Sequence, residues 1–264
     1  MSDMTYKCVF SDIDGTLLNS KHQISEKTKK KVQQLAIQNI PFVLVSARMP
    51  KGMHYFLDEL QIKAPMVSYS GGLILDENQK VIYSKGFSVE MAKRLFEYIK
   101  YYYQVPVSFY IENRWMVDEI DEGIKEESKI TGLTPEILDL TNVQKVHKLL
   151  IIADKNIIEQ LEMSLKEKFT GLKIYKSKDT YLEIMDESVS KASAIQFLCD
   201  KMKIGLHQTV SFGDNYNDLD MLLLTGKGFA MANGAQGVLE SIPTHTLSND
   251  EDGIVYALDN LVGE

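Results

Sequence analysis

The sequence predicts an α/β protein, a doubly wound parallel-sheet core interrupted by an α+β insert. Three observations carry this expectation. Up to Tyr69, short apolar runs alternate with helix-length amphipathic segments, the order of a parallel sheet with crossover helices. The same alternation returns after Ser188. Between these stretches strand signals dominate and the spacing changes. The expected boundaries are 1–83 and 188–264 for a discontinuous core and 84–187 for the insert.

Tyr6 to Ser11 reads as a buried strand. A helix follows, with Ser25 as N-cap, Val32, Leu35 and Ala36 on one face, and Asn39 at its end. Ile40 to Val45 is a second strand, Lys51 to Leu60 a helix and Met66 to Tyr69 a third strand. Leu73–Leu75 and Val81–Tyr83 flank a polar stretch as a hairpin. In the insert, a helix begins after Ser88 and Val105 to Ile111 is a strand. Trp115 to Val117 follows a turn, and Asp118 to Glu127 is a solvated helix face. Lys148 to Ala153 is a strand, and Asn156 with Glu159 forms a capping-box pattern for a helix ending at Phe169. Leu172–Lys176 and Tyr181–Met185 are strands. In the last part, Ser190–Lys201 and Asp218–Leu224 are helices. Thr209–Phe212, Gly228–Met231 and Thr244–Leu247 are strands, and a helix follows each of the last two.

Composition excludes several function classes. The chain has 264 residues, 44% hydrophobic and 25% charged, as in ordinary globular proteins. A net charge of −8 and a pI near 5.3 give no phosphate-backbone footprint, so nucleic acid is not expected as a ligand. The insert and the remainder each carry −4, so charge does not separate them. Apolar runs such as Leu149 to Ala153 fall far short of the roughly 20 residues a membrane span needs. Met1 to Lys7 lacks the apolar stretch of a signal peptide. Cys8 and Cys199 make no disulfide framework. A cytoplasmic protein is the expectation.

The sharpest local signal is Asp12-Ile13-Asp14-Gly15-Thr16, directly after a buried strand. Residues two apart on an extended chain point the same way, so both carboxylates leave the sheet's carboxyl edge together, where open α/β sheets bind ligands. Alone, the same residues equally make an Asx turn. A second acidic cluster, Gly213-Asp214-Asn215-Tyr216-Asn217-Asp218, follows another buried strand. Clustered carboxylates repel unless a cation or proton separates them. Hard oxygen ligands suit Mg²⁺, and the five histidines (His22, His54, His147, His207, His245) show no zinc spacing. Ser46, at the end of the second strand, offers a hydroxyl for phosphate or a simple turn. Lys191 offers a fixed positive charge or a solvated surface.

Taken together these segments resemble the haloacid dehalogenase superfamily. Asp12 to Leu18 is similar to its first motif, Ser46 to its second, Lys191 to its third and Gly213 to Asp218 to its fourth. Ala230 to Ala235 and Asn249 to Gly253 resemble the Cof-type subgroup, which carries a large α/β cap where the insert lies. Ala47, Ser70 and Ala192 depart from the subgroup pattern, bearing on fine specificity more than on catalysis.

The resemblance implies a Rossmann-like core with an inserted cap and a Mg²⁺-dependent phosphatase of small phosphorylated metabolites, sugar phosphates first. Asp12 would be the nucleophile that becomes an aspartyl phosphate, and Asp14 the acid and then the base. Mg²⁺ would be held by Asp12, the backbone carbonyl of Asp14, and Asp214, with Asp218 behind them. Ser46, Lys191, Asn217 and the backbone N–H groups of Ile13 and Ala47 would hold the phosphoryl oxygens. Cap aromatics such as Tyr101, Tyr102, Phe109, Tyr110 and Trp115 read as cap core and exposed tyrosines, or as a substrate wall. Alternatives are a phosphatase of a phosphorylated cofactor such as pyridoxal phosphate or flavin mononucleotide, and a phosphosugar mutase. A phosphoryl-accepting signalling module and a binding protein without turnover are the other classes. Oligomeric state is open.

Overall fold

A computed structural model describes residues 6–261. The elements run β1 (Cys8–Ser11), α1 (Glu26–Ile37), β2 (Phe42–Val45), α2 (Lys51–Leu60), β3 (Met66–Ser68), β4 (Leu73–Leu75) and β5 (Val81–Ser84). Next come β6 (Phe87–Ser88), α3 (Val89–Tyr102), β7 (Ser108–Ile111), β8 (Arg114–Val117), α4 (Glu122–Thr131), β9 (Glu136–Ile137), β10 (Lys145–Val146), β11 (Lys148–Ile152), α5 (Lys155–Lys168), β12 (Leu172–Lys178) and β13 (Tyr181–Asp186). The chain closes with α6 (Lys191–Met202), β14 (Thr209–Gly213), α7 (Leu219–Leu224), β15 (Lys227–Met231), α8 (Gln236–Ser241), β16 (His245–Thr246) and α9 (Gly253–Asn260). Two compact units result. One holds 6–48, 53–83 and 190–261; the other holds 49–52 and 84–189.

The first unit is built on an eight-stranded sheet, ordered β16-β15-β14-β1-β2-β3-β4-β5. Strands β16 to β3 run parallel and β4 joins antiparallel. The chain leaves β1 toward β2 and β3, then returns on the other side through β14 to β16. That reversal at β1 is the switch point where such sheets open a crevice at their carboxyl edge. The central strands β1, β2 and β14 are buried throughout, hence their continuous apolar runs. Phe10, Val43, Val45 and Val67 pack with Ala194, Ile195 and Leu198 of α6 in one apolar cluster, each large side chain contributing about 1.5–3 kcal/mol on burial.

The second unit carries a six-stranded sheet, β12-β13-β11-β7-β8-β9, antiparallel except for β8 and β9. A two-stranded piece pairs β6 with β10. Alternate residues Leu149, Ile151, Leu182 and Ile184 share an apolar core with Leu95 and Ile99 of α3 and Leu161 and Leu165 of α5. Phe109 belongs to that core, Tyr110 and Trp115 are buried as a stacked pair, and Tyr101 and Tyr102 are exposed.

Several local expectations shift for physical reasons. Ser25 caps α1 through Thr28 N–H, but Thr28 rather than Ala36 joins Val32 and Leu35 on the buried face. The strand expected from Val105 begins only at Ser108, because Pro106 has no N–H and Asp118 Oδ1 takes that of Val107 at 2.7 Å. The acidic helix therefore starts later, where Asp121 accepts from Ile124 N–H, and Gly132 ends it in the left-handed region. The capping box at Asn156 does not form: α5 begins at Lys155 with Asp154 as N-cap and no side-chain cap bond. The polar lead-in at Met1–Lys7 lies, up to Thr5, outside the described residues. Among the described residues no helix is long and apolar enough to cross a membrane.

Candidate active site

The carboxyl edge of the first unit's sheet gathers the charged groups. Asp12 follows β1, and its N–H donates to the carbonyl of Phe212 on β14 at 3.0 Å. The chain then turns at Gly15, whose φ of +86° no L side chain adopts readily. A Cβ at Gly15 would also lie 2.5 Å from Asp214 Oδ2, so glycine here is a condition of the two segments meeting. Thr16 Oγ1 donates to Asp214 Oδ1 at 2.7 Å, and Asn233 Nδ2 donates to the Gly15 carbonyl at 2.8 Å.

Lys191 is the first residue of α6, positioned by the capping box of Ser190 and Ser193. It is buried, and Nζ donates to Asp12 Oδ1 and Asp218 Oδ1, each at 2.5 Å, and to the Val45 carbonyl at 3.2 Å. All three ammonium hydrogens are thus committed. Asp218 is fully buried, and its other oxygen accepts from the N–H groups of Asp214 and Asn215 at 3.0 and 2.9 Å. Gly213 leaves room for it, since a Cβ there would sit 2.5 Å from Asp218 Cβ.

Burial raises the Asp12 carboxyl well above its usual range; Lys191 opposes this, and Asp218 and Asp214 add to it. Asp214 is pushed up to about 6, chiefly by burial, with the Thr16 hydroxyl working against it. For Lys191 burial works against the charge, but Asp12 and Asp218 outweigh it and hold the ammonium protonated. The oxygens of Asp12, Asp214 and Asp218 fall within 4.8 Å of one another. Three crowded carboxylates, offering only oxygen donors, fit a hard divalent cation.

The other expected residues are placed as follows. Ser46 is buried after β2, its Oγ accepting from Arg48 N–H at 3.2 Å. Ile13 is buried, while Ala47, after β2, and Asn217, in the short 3-10 turn before α7, are half-buried. The Asp14 side chain stands apart from the three-carboxylate group: Arg48 donates to both its oxygens, from Nε at 2.7 Å and Nη2 at 2.6 Å. Arg48, Thr16 and Asn233 were not among the expected site residues. Thr16 lies within the first motif and Arg48 just after the second, but which carboxylate each would meet depends on segments 198 and 34 residues apart, respectively.

Residues 9–258 match the haloacid dehalogenase-like hydrolase family. A putative phosphatase of Haemophilus influenzae is 34% identical, covering 97% of this chain and 98% of its own. The HMP-PP phosphatase of Cronobacter sakazakii is 24% identical, covering 88% of this chain and 86% of its own. A crystal structure from Thermotoga maritima superposes with a TM-score of 0.89 at 30% identity, covering 97% of each chain. The chain therefore belongs to the haloacid dehalogenase-like hydrolases, as a phosphatase of the Cof type.

Proposed function

We propose that the protein hydrolyses small phosphorylated metabolites in a Mg²⁺-dependent reaction that passes through an aspartyl phosphate on Asp12. The observation that carries this reading is the buried Asp12 carboxylate, paired with Lys191 at 2.5 Å and crowded by Asp214 and Asp218. Asp12, the backbone carbonyl of Asp14, and Asp214 would hold Mg²⁺, with Asp218 bracing the loop and Lys191. When bound, Mg²⁺ supplies positive charge against the phosphoryl oxygens and keeps the nucleophilic carboxylate ionised.

Asp12 attacks phosphorus as the bond to the leaving oxygen breaks, and Asp14 delivers a proton to that oxygen. Asp14 then takes a proton from the water that hydrolyses the acyl phosphate. Ser46, Asn217 and the N–H groups of Ile13 and Ala47 stabilise the equatorial oxygens, and Lys191 joins them by turning toward the phosphoryl group the hydrogen it gives Asp12 in this structure. The second unit is read as a cap that selects the leaving group, and the first unit as the catalytic core. Sugar phosphates are the first substrate class. The name of the Cronobacter relative keeps phosphorylated cofactors and their precursors as the second. A panel of metabolite phosphates, assayed for phosphate release with Mg²⁺ and with chelator, tests the reading. Release confined to the Mg²⁺ arm supports it, and equal release in chelator refutes the metal requirement.

A further inference from the structure

Ser70 stands out among the polar groups of the first unit. It lies just beyond β3, at the same carboxyl edge that carries Asp12 after β1, Ser46 after β2 and Asp214 after β14. It is 2% exposed, and its Oγ is the one buried side-chain polar atom among the described residues without a hydrogen-bond partner. Burying a hydroxyl unpaired is costly, and such groups in folded proteins call for a specific explanation.

The backbone beneath it is also strained. Tyr69 and Ser70 have φ of +50° and +51°, two consecutive non-glycine residues in the left-handed region. Strain of this kind persists only where the surroundings over-determine it, and it gathers at ligand sites. Here the surroundings are the expected phosphate loop. Ser70 N–H donates to the Ser46 carbonyl at 2.9 Å, Tyr69 N–H to the Arg48 carbonyl at 3.2 Å, and Ser68 Oγ to the Arg48 carbonyl at 2.7 Å. On the other side Gly71 lies against Ser190, the cap of the Lys191 helix, so closely that a Cβ would fall 2.2 Å from its carbonyl oxygen. The 68–71 loop is therefore wedged between the segments that carry Ser46 and Lys191.

We propose that the Ser70 hydroxyl is a second phosphate-binding hydroxyl beside Ser46, donating to a phosphoryl oxygen of substrate and product. The inference rests on the phosphatase reading and adds one residue to its anion site. It explains both costs: the hydroxyl is held ready for an acceptor that arrives with the ligand. A phosphoryl oxygen is a charged acceptor, for which O–H donors form short, strong hydrogen bonds.

The test uses the full-length chain with inorganic phosphate as probe, in the presence of Mg²⁺. Ser70→Ala removes the hydroxyl at nearly constant shape, and Ser70→Gly also relieves the left-handed strain. Both are expected to weaken product inhibition by inorganic phosphate about tenfold, the loss of one charged hydrogen bond. Both are also expected to keep or raise the denaturation midpoint of the phosphate-free protein, because no protein partner is lost. Unchanged phosphate inhibition in both variants overturns the proposal, and so does a lowered midpoint with unchanged inhibition, which marks a structural hydroxyl. If wild type turns over phosphomonoesters and the variants match it, only the Ser70 assignment falls. If wild type neither hydrolyses them nor responds to phosphate, the phosphatase reading falls with it.

Discussion

Arg48 grips both oxygens of Asp14 in a bidentate pair at 2.6 and 2.7 Å. Both oxygens of a carboxylate held this way are taken up by the guanidinium, so neither is placed to meet a leaving group. For Asp14 to protonate a leaving group, one oxygen must leave the guanidinium. Arg48→Met removes this hold. Turnover of alkyl phosphates, which need the proton most, is expected to change at least tenfold. Turnover of an aryl phosphate with a good leaving group is expected to change far less. A rate series across leaving groups of graded acidity measures the difference. An equal change along the whole series means that Arg48 does not act through Asp14.

Lys191 lies between Asp12 and Asp218 with no solvent access to its side chain. Removing one partner of such a group leaves buried charge uncompensated, at about 3–5 kcal/mol. Lys191→Met is expected to destabilise the protein by that order. Adding Asp218→Asn is expected to recover part of the loss, because the two residues act as a unit. Denaturant titration of both singles and the double checks this, and simple additivity contradicts the coupling.

Gly15→Ala forces a side chain into the left-handed region, costing about 1–3 kcal/mol, and drives its Cβ onto Asp214. If Asp214 is a Mg²⁺ ligand, the concentration of Mg²⁺ for half-maximal activity rises at least tenfold. Unchanged Mg²⁺ activation at reduced stability removes Asp214 from the ligand set.

His147, in the second unit, is buried and held as the neutral ring. Its Nδ1 accepts from Glu112 N–H at 3.2 Å, so the proton sits on Nε2, which faces Ser84 Oγ at 3.0 Å. Burial, with a smaller contribution from Lys145, lowers its pKa from 6.5 to about 4. Below pH 6.5 the unfolded chain gains a proton that the folded chain refuses. Stability present above that pH is therefore lost as pH falls toward 4, by about 3 kcal/mol in all. His147→Gln is expected to flatten that part of the stability–pH curve. A curve of unchanged slope between pH 6.5 and 4 contradicts the assignment.

The sequence made much of this legible. The buried central strands read directly as apolar runs, and the two acidic segments were located by the strands before them. The two-residue strands β6, β9 and β10 have no signature in the sequence, because two residues carry no periodicity. The strand expected at Val105 and the acidic helix both start later than their local patterns predict, because Asp118 gives its carboxylate to the Val107 backbone, a pairing across 11 residues. Within the candidate site the residue types were readable but their pairings were not. Nothing in the local pattern distinguishes Asp218, locked on Lys191 and two backbone N–H groups, from Asp14, out at the edge with Arg48.

In the proposed reaction Asp12 carries the phosphoryl group and Asp14 the proton. Rapid quench with a labelled, activated phosphate ester, followed by peptide mapping, tests it most directly. Asp14→Asn keeps the nucleophile and lacks the base for the second step, so label is expected to accumulate on Asp12. Asp12→Asn keeps the shape of the site and is expected to hold no label. Label on Asp14 in the Asp12 variant, or equal turnover by both variants, would contradict the account.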